Sequence, residues 1–189
     1  MKDKKTKILI SVIAAFVVLA SVGLAIVLGQ GSGDLMDVAA KRDGRPDPNV
    51  TYIKPDLTAL TADFVGSVET QAASKLAFDQ INVKRANAGL SEYVWDSGLE
   101  EAAKVRAIEA SQLWSHTRPN GTDYWTVNEA IVYGENLAKG YQTAEEAVQA
   151  WENSPTHKQN MMDKELITSA ICIHLSSNGQ WFWANEFGY

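Results

Sequence analysis

Ser169-Ala170-Ile171-Cys172-Ile173-His174-Leu175-Ser176, a turn at Asn178-Gly179, and then Gln180-Trp181-Phe182-Trp183-Ala184-Asn185-Glu186-Phe187 decide the fold. Both runs are rich in β-branched and aromatic residues and alternate in character. Asn-Gly between two such runs is the strongest short hairpin signal. In that register Cys172 alternates with Ile171 and Ile173 and reads as a buried, inert thiol. His174 reads as a sheet residue with a satisfied hydrogen bond. Trp181, Phe182 and Trp183 read as core and sheet surface ahead of a carbohydrate or peptidoglycan platform.

Upstream, the pattern changes from strand to helix. The spacing predicts a helix over 68–87, with Ala72, Leu76, Phe78 and Ile81 as its apolar face and Gly89 as its stop. Ser97-Gly98-Leu99-Glu100 reads as a capping box that opens a second helix running to about Trp114, with a small-residue face of Leu99, Ala102, Ala103, Ala110 and Leu113. Ile131 to Leu137 is strand-like, and Gly134 inside it suggests a bulge or a close backbone approach. Thr143-Ala144-Glu145-Glu146 opens a third helix, which Pro155 ends, placing Ser154 to His157 in a turn. A short helical piece is expected around Gln159 to Met162. Helices, strand, helix, hairpin is an α+β order, with helices laid on an antiparallel sheet.

The 189-residue chain carries a formal net charge of −6. Its first seven residues hold Lys2, Lys4, Lys5 and Lys7 against Asp3, so the remaining body is more acidic still. An acidic body without a basic stripe argues against nucleic acid as a partner, because phosphate neutralisation needs clustered cations. Residues 8–29 are an uncharged apolar run, long enough as a helix to cross a hydrocarbon core of roughly 30 Å. The flanking lysines place residues 1–7 in the cytoplasm and the body outside. A single membrane-spanning anchor is favoured over a cleaved signal segment, whose apolar region is usually shorter. Residues 30–66 hold three of the five prolines and a Gly-Ser-Gly opening, and read as an extracellular linker. All six tryptophans fall at or beyond Trp95, so the folded domain is expected over 67–189. Cys172 is the single cysteine, so that domain stands on its packed core without an intramolecular disulfide.

Two of the three histidines lie in short segments between these elements: Ser115-His116-Thr117-Arg118-Pro119-Asn120-Gly121 and Ser154-Pro155-Thr156-His157. Between them stands Gly134-Glu135-Asn136. Singly, His116 is a residue at a helix C-terminus, His157 a turn residue and Glu135 a strand carboxylate. Together, two imidazoles and a carboxylate are a sound set for a divalent ion, with one position left to water. The spacing is not that of His-Glu-x-x-His metalloproteases, and no serine or cysteine nucleophile announces itself. Arg118 reads as a surface pair ahead of an anion contact.

The ordered set Asn87-Ala88-Gly89-Leu90, Trp95-Asp96, Arg106-Ala107, Ser115 to Gly121, Gly134-Glu135-Asn136, Trp151, Ser154 to His157, Asn160, Trp183 and Phe187-Gly188 resembles the bacterial branch of the CAP superfamily. These are the domains related to cysteine-rich secretory proteins, antigen 5 and the plant pathogenesis-related proteins of group one. The resemblance covers roughly residues 70–189. It implies a three-layer α-β-α sandwich with a central cleft lined by two histidines and two acids, in some members holding a divalent metal. Carried over, it makes His116, Glu135 and His157 the cleft residues and a site for Zn2+ or Ca2+. The second acid does not carry over: its position is Ser154, and Glu152 is the nearest carboxylate. The resemblance implies secretion and diverse binding roles without one shared reaction. The leading reading is a membrane-tethered extracellular binding module whose cleft takes a lipid or cell-envelope fragment, with or without a divalent ion. The alternative is a metal-assisted peptidase or cell-wall hydrolase, with Glu135 as ligand or general base.

Overall fold

The computed structural model describes residues 39–189. The expected membrane-spanning run at 8–29 lies outside the described residues, and no helix among the described residues is long and apolar enough to cross a membrane. The hairpin forms where the Asn-Gly turn places it: β4 (Thr168–Leu175) and β5 (Trp181–Gly188) pair antiparallel throughout, with Gly179 at φ +82° in the turn. β3 (Gly134–Lys139) pairs antiparallel with the other edge of β5, from Gly134–Phe187 to Lys139–Phe182 in unbroken register. The bulge suggested by Gly134 is therefore not formed, and an added Cβ there would meet Phe187 and Asn160 at ordinary contact distances.

Two short strands complete the sheet. β1 (Ala40–Lys41) is antiparallel to β3, and β2 (Val94–Trp95) is parallel to β4. The strand order is β1-β3-β5-β4-β2. The sheet is thus mixed, which corrects the expected all-antiparallel arrangement. β2 connects two helices rather than two hairpin strands, so its direction is fixed by where those helices pack.

Helices cover both faces. On one lie α2 (Val68–Asn87), α4 (Ala144–Asn153) and α5 (Pro155–Met161), over Ile171, Ile173, Trp183, Phe187 and Ala138. On the other lies α3 (Ser97–Gln112), whose Ala103, Ala107 and Ala110 seat on Leu137, Cys172, Phe182 and Ala184. This is a three-layer α-β-α sandwich, and side-chain alternation assigns each strand residue to a layer. The small residues of α3 let its backbone approach the sheet closely.

Several local expectations shift. α2 buries Thr70, Ser74, Ala77, Phe78, Ile81, Asn82 and Arg85, while Leu76 is 44% exposed, because the helix turns a half-polar face to the core. Its own start is a capping box between Ser67 and Thr70. α3 is capped by the Asp96 carboxylate, which accepts from Leu99 N at 2.8 Å, one residue before the expected Ser97. Glu100 instead accepts from the Trp95 indole N–H at 2.9 Å. α3 ends at Gln112, and Leu113 is exposed. Thr143 caps α4 as expected. Pro155 does not leave Ser154 to His157 in a turn; it opens α5, since proline at the first helical position costs no hydrogen bond. Residues 39–66, read from composition as linker, include contacts with the domain. Leu57, just before the short helix α1 (Thr58–Thr61), is buried, Val65 N donates to His174 Nδ1 at 3.1 Å, and β1 pairs with β3.

Candidate functional site

The Gly134-Glu135-Asn136 motif sends consecutive side chains to opposite faces of the sheet. Glu135 points into the α3 layer and is fully buried. There it meets Arg106, also fully buried, which donates from Nε to Oε2 at 2.6 Å and from Nη2 to Oε1 at 3.1 Å. Such a two-point grip is the strong form of a carboxylate–guanidinium pair. His116 Nδ1 lies 2.5 Å from Glu135 Oε1. An ionised carboxylate only accepts, so Nδ1 carries the proton and donates it. The His116 ring also stands edge-on to Tyr124, with ring centres 6.0 Å apart.

The network extends outward. Arg106 Nη1 donates to Glu109 Oε2 at 2.6 Å, and Nη2 to the Ser115 carbonyl at 2.9 Å. Arg118 closes on the same Glu109, with Nη2 to Oε1 at 2.8 Å. Arg118 is only 7% exposed, so the surface pair expected for it is in fact a buried one. Burial would raise the pKa of Glu135. The Arg106 charge and the hydrogen bonds from His116 and Arg106 outweigh it and hold this carboxyl down at about 2.

Glu186 stands directly across the β3–β5 ladder from Glu135 and is likewise fully buried. No other residue's donor reaches its two oxygens among the described residues. Burial and the facing Glu135 push its pKa well above the ordinary carboxylate value, and the retained proton lets the two acids hydrogen-bond. Sequence reasoning missed Glu186, Glu109 and the full weight of Arg106. The available signals were Glu186 within a mostly apolar strand and Arg106 in line with Ala102 and Ala110 on the small-residue face of α3.

On the other face, Asn136 donates to the His157 carbonyl at 3.0 Å and accepts from Asn160 Nδ2 at 3.0 Å, anchoring α5 to β3. His157 is 1% exposed, and its Nδ1 lies 2.7 Å from Ser154 Oγ. The serine at the position expected for a second acid therefore positions the second histidine. Glu152 turns away to Lys84 on α2, at 2.6 Å. Of the three predicted site residues, His116 and Glu135 are in direct contact, while His157 is held by Ser154 and Asn136. Among the described residues no three His, Cys, Asp or Glu side chains gather to hold a metal ion. Both oxygens of Glu135 are engaged by Arg106 and His116, so this carboxylate stands behind His116 and orients its ring.

Cys172 and His174 keep to the sheet. Cys172 is buried, with its thiol donating to the Glu100 carbonyl and its pKa raised by burial. Trp181, Phe182 and Trp183 are all buried in the core.

The model of the cysteine-rich secretory protein family, CAP, matches residues 78–187. The chain belongs to this family. It is 30% identical over 123 residues to the uncharacterized protein YkwD of Bacillus subtilis, covering 61% of this chain and 47% of that protein. It is 35% identical over 89 residues to the secreted protein RBT4 of Candida albicans, covering 47% of this chain and 22% of that one. The chain thus spans less than half the length of these curated relatives. Among solved structures, an outer surface protein from Borrelia burgdorferi superposes with a TM-score of 0.58 at 23% identity, over 65% of this chain and 96% of that one. An extracellular protein containing a SCP domain from Bacillus anthracis gives 0.54 at 21% identity, over 63% and 41%. At these identities the superpositions show a shared CAP fold.

Proposed function

We propose that this CAP domain is an extracellular binding module, tethered to a membrane by its N-terminal segment. The surface around His116, held by Glu135, takes a lipid or cell-envelope fragment by hydrogen bonding, without hydrolysing it and without a metal ion. The observation that carries this reading is the state of Glu135. A general base works best with a pKa near the operating pH. Glu135 is held at about 2 and both its oxygens are engaged, so it is a poor proton acceptor at neutral pH. What it does well is fix His116, whose side chain is 14% exposed and brings the buried network to the surface. The outward placement is supported by the apolar run at 8–29 with its flanking lysines, and by relatives described as secreted and extracellular.

Calorimetry of the full-length chain in detergent, against defined muropeptides and against anionic phospholipid micelles, tests the proposal. Saturable binding is expected to one of the two, weakened about tenfold by His116→Ala, or ~1.4 kcal/mol. Release of new amino groups or reducing ends from muropeptide, lost in His116→Ala, would establish the hydrolase instead.

A further inference from the structure

Ala39-Ala40-Lys41-Arg42-Asp43-Gly44-Arg45 lies along the outer edge of β3 in the manner of a bound peptide. Its main chain is held by backbone and by side chains. Ala40 and Lys41 pair with Glu135 and Gly134, and Arg42 N donates to the Tyr133 carbonyl at 2.7 Å. Side chains of α5 add to this, with Ala39 N donating to Thr156 Oγ1 at 3.3 Å and Asn160 Nδ2 donating to the Ala40 carbonyl at 2.9 Å.

The side chains are read as well. Lys41 pairs with Asp163 and Arg45 with Glu165, both acids lying between α5 and β4. The Arg42 guanidinium sits 4.3 Å from the ring centre of Trp125 and 4.8 Å from that of Tyr133, and donates to the Glu129 carbonyl at 2.9 Å. Backbone pairing to a sheet edge, with separate seats for successive side chains, is how strand-addition sites bind peptides.

We propose that the groove between the β3 edge and the 156–165 segment is a docking site for an extended peptide with adjacent lysine and arginine, which this chain fills with its own residues 39–45. The hold is of an exchangeable kind. The ladder is two residues long, and Lys41 and Arg45 are 39% and 63% exposed in their ion pairs, where such pairs contribute little. Residues 47–51 beyond the strap are exposed, and within the strap Ala40 is the hydrophobic side chain that packs against the core. Once vacated, the groove keeps an acidic wall, an aromatic seat and an unpaired strand edge, which favours a second basic strand. None of these contacts depends on the ligand proposed for the His116 region.

The test uses the full-length chain in detergent and a fluorescent peptide with the sequence of residues 39–46, followed by polarisation. Lys41→Glu with Arg42→Glu releases the strap in cis. That variant is expected to bind the peptide at least about tenfold more tightly than the wild type, whose own strap competes. Adding Asp163→Lys, or using a peptide with glutamates for its Lys-Arg pair, is expected to remove the gain. Equal uptake by released and wild-type proteins, or uptake of the glutamate peptide as well, would overturn the proposal. Hydrogen exchange in the wild type decides independently of any variant. Excess peptide is expected to speed exchange at the Arg42 amide while β5 amides stay protected, and no change at Arg42 would also overturn it.

Discussion

Glu135 and Glu186 are register partners on adjacent strands, each fully buried, and their pKa values are pushed in opposite directions. Arg106 makes the difference: its Nε and Nη2 both reach Glu135, whereas no other residue's donor reaches the Glu186 oxygens among the described residues. Two like charges at that separation in a site closed to water would be costly, so the pair keeps one proton.

The retained proton sets a slope of stability against pH. A carboxyl whose folded pKa is raised binds more protons folded than unfolded above its unfolded value of 4.5. Its stabilising contribution is therefore complete below that value and is lost as pH rises. Glu186→Gln keeps a donor facing Glu135 without a titrating proton. The variant is expected to match the wild type near pH 4 and to exceed it by on the order of 1–2 kcal/mol at pH 8. Urea unfolding at the two pH values checks this, and a difference that is flat with pH would show that Glu186 is ionised in the folded state.

Arg106→Met leaves Glu135 without its buried cation and Glu109 with Arg118 alone. Removing one partner of a buried pair costs about 3–5 kcal/mol. It also changes the acid limb. In the wild type, Glu135 contributes stability above 4.5 that is lost as pH falls toward about 2. Without Arg106, burial dominates and Glu135 takes a proton in the folded state. Thermal melts are expected to show a large loss at neutral pH and a shallower further loss in acid. A melt unchanged at neutral pH would mean that the guanidinium is not what holds the site together.

What could be read from sequence was local. The Asn178-Gly179 turn, the Thr143 cap and the extent of the 68–87 helix each rest on residues close in the chain, and each forms. The β2–β4 parallel pairing and the β1 strap join residues far apart and only two at a time, so no periodicity announces them. In the site, His116 and Glu135 stood out because few imidazoles compete for attention. Arg106 and Glu186 were hidden because a charge in a helix or strand reads as solvent-facing until its register is known. Ser154 stands where a second acid is expected, and its hold on His157 Nδ1 follows from Pro155 opening a helix, which a proline after a helical run does not announce.

Gly188 closes β5 where space is least. A Cβ there would lie 2.6 Å from the Ile131 carbonyl oxygen and 2.8 Å from Thr168 Oγ1. The first contact is backbone, which cannot rotate away. Gly188→Ala is expected to destabilise the domain by about 1–3 kcal/mol, while Gly134→Ala, which meets only ordinary contacts, costs less. Chemical denaturation of both variants checks the ranking, and equal losses would mean that the 131–133 segment yields to the added methyl.

The donor set bears directly on metal uptake. To ligate an ion, Glu135 would have to give up a hydrogen bond from Arg106 or His116 inside a site from which water is excluded, leaving a buried cation or imidazole without its partner. His157, whose Nδ1 is engaged by Ser154, could offer an ion only its Nε2. Titration of the full-length chain with zinc and with calcium is therefore expected to give the same heats as His116→Ala/His157→Ala. Stoichiometric uptake in the micromolar range that the double variant loses would show instead that the network opens for an ion, and would return Glu135 to the role of ligand.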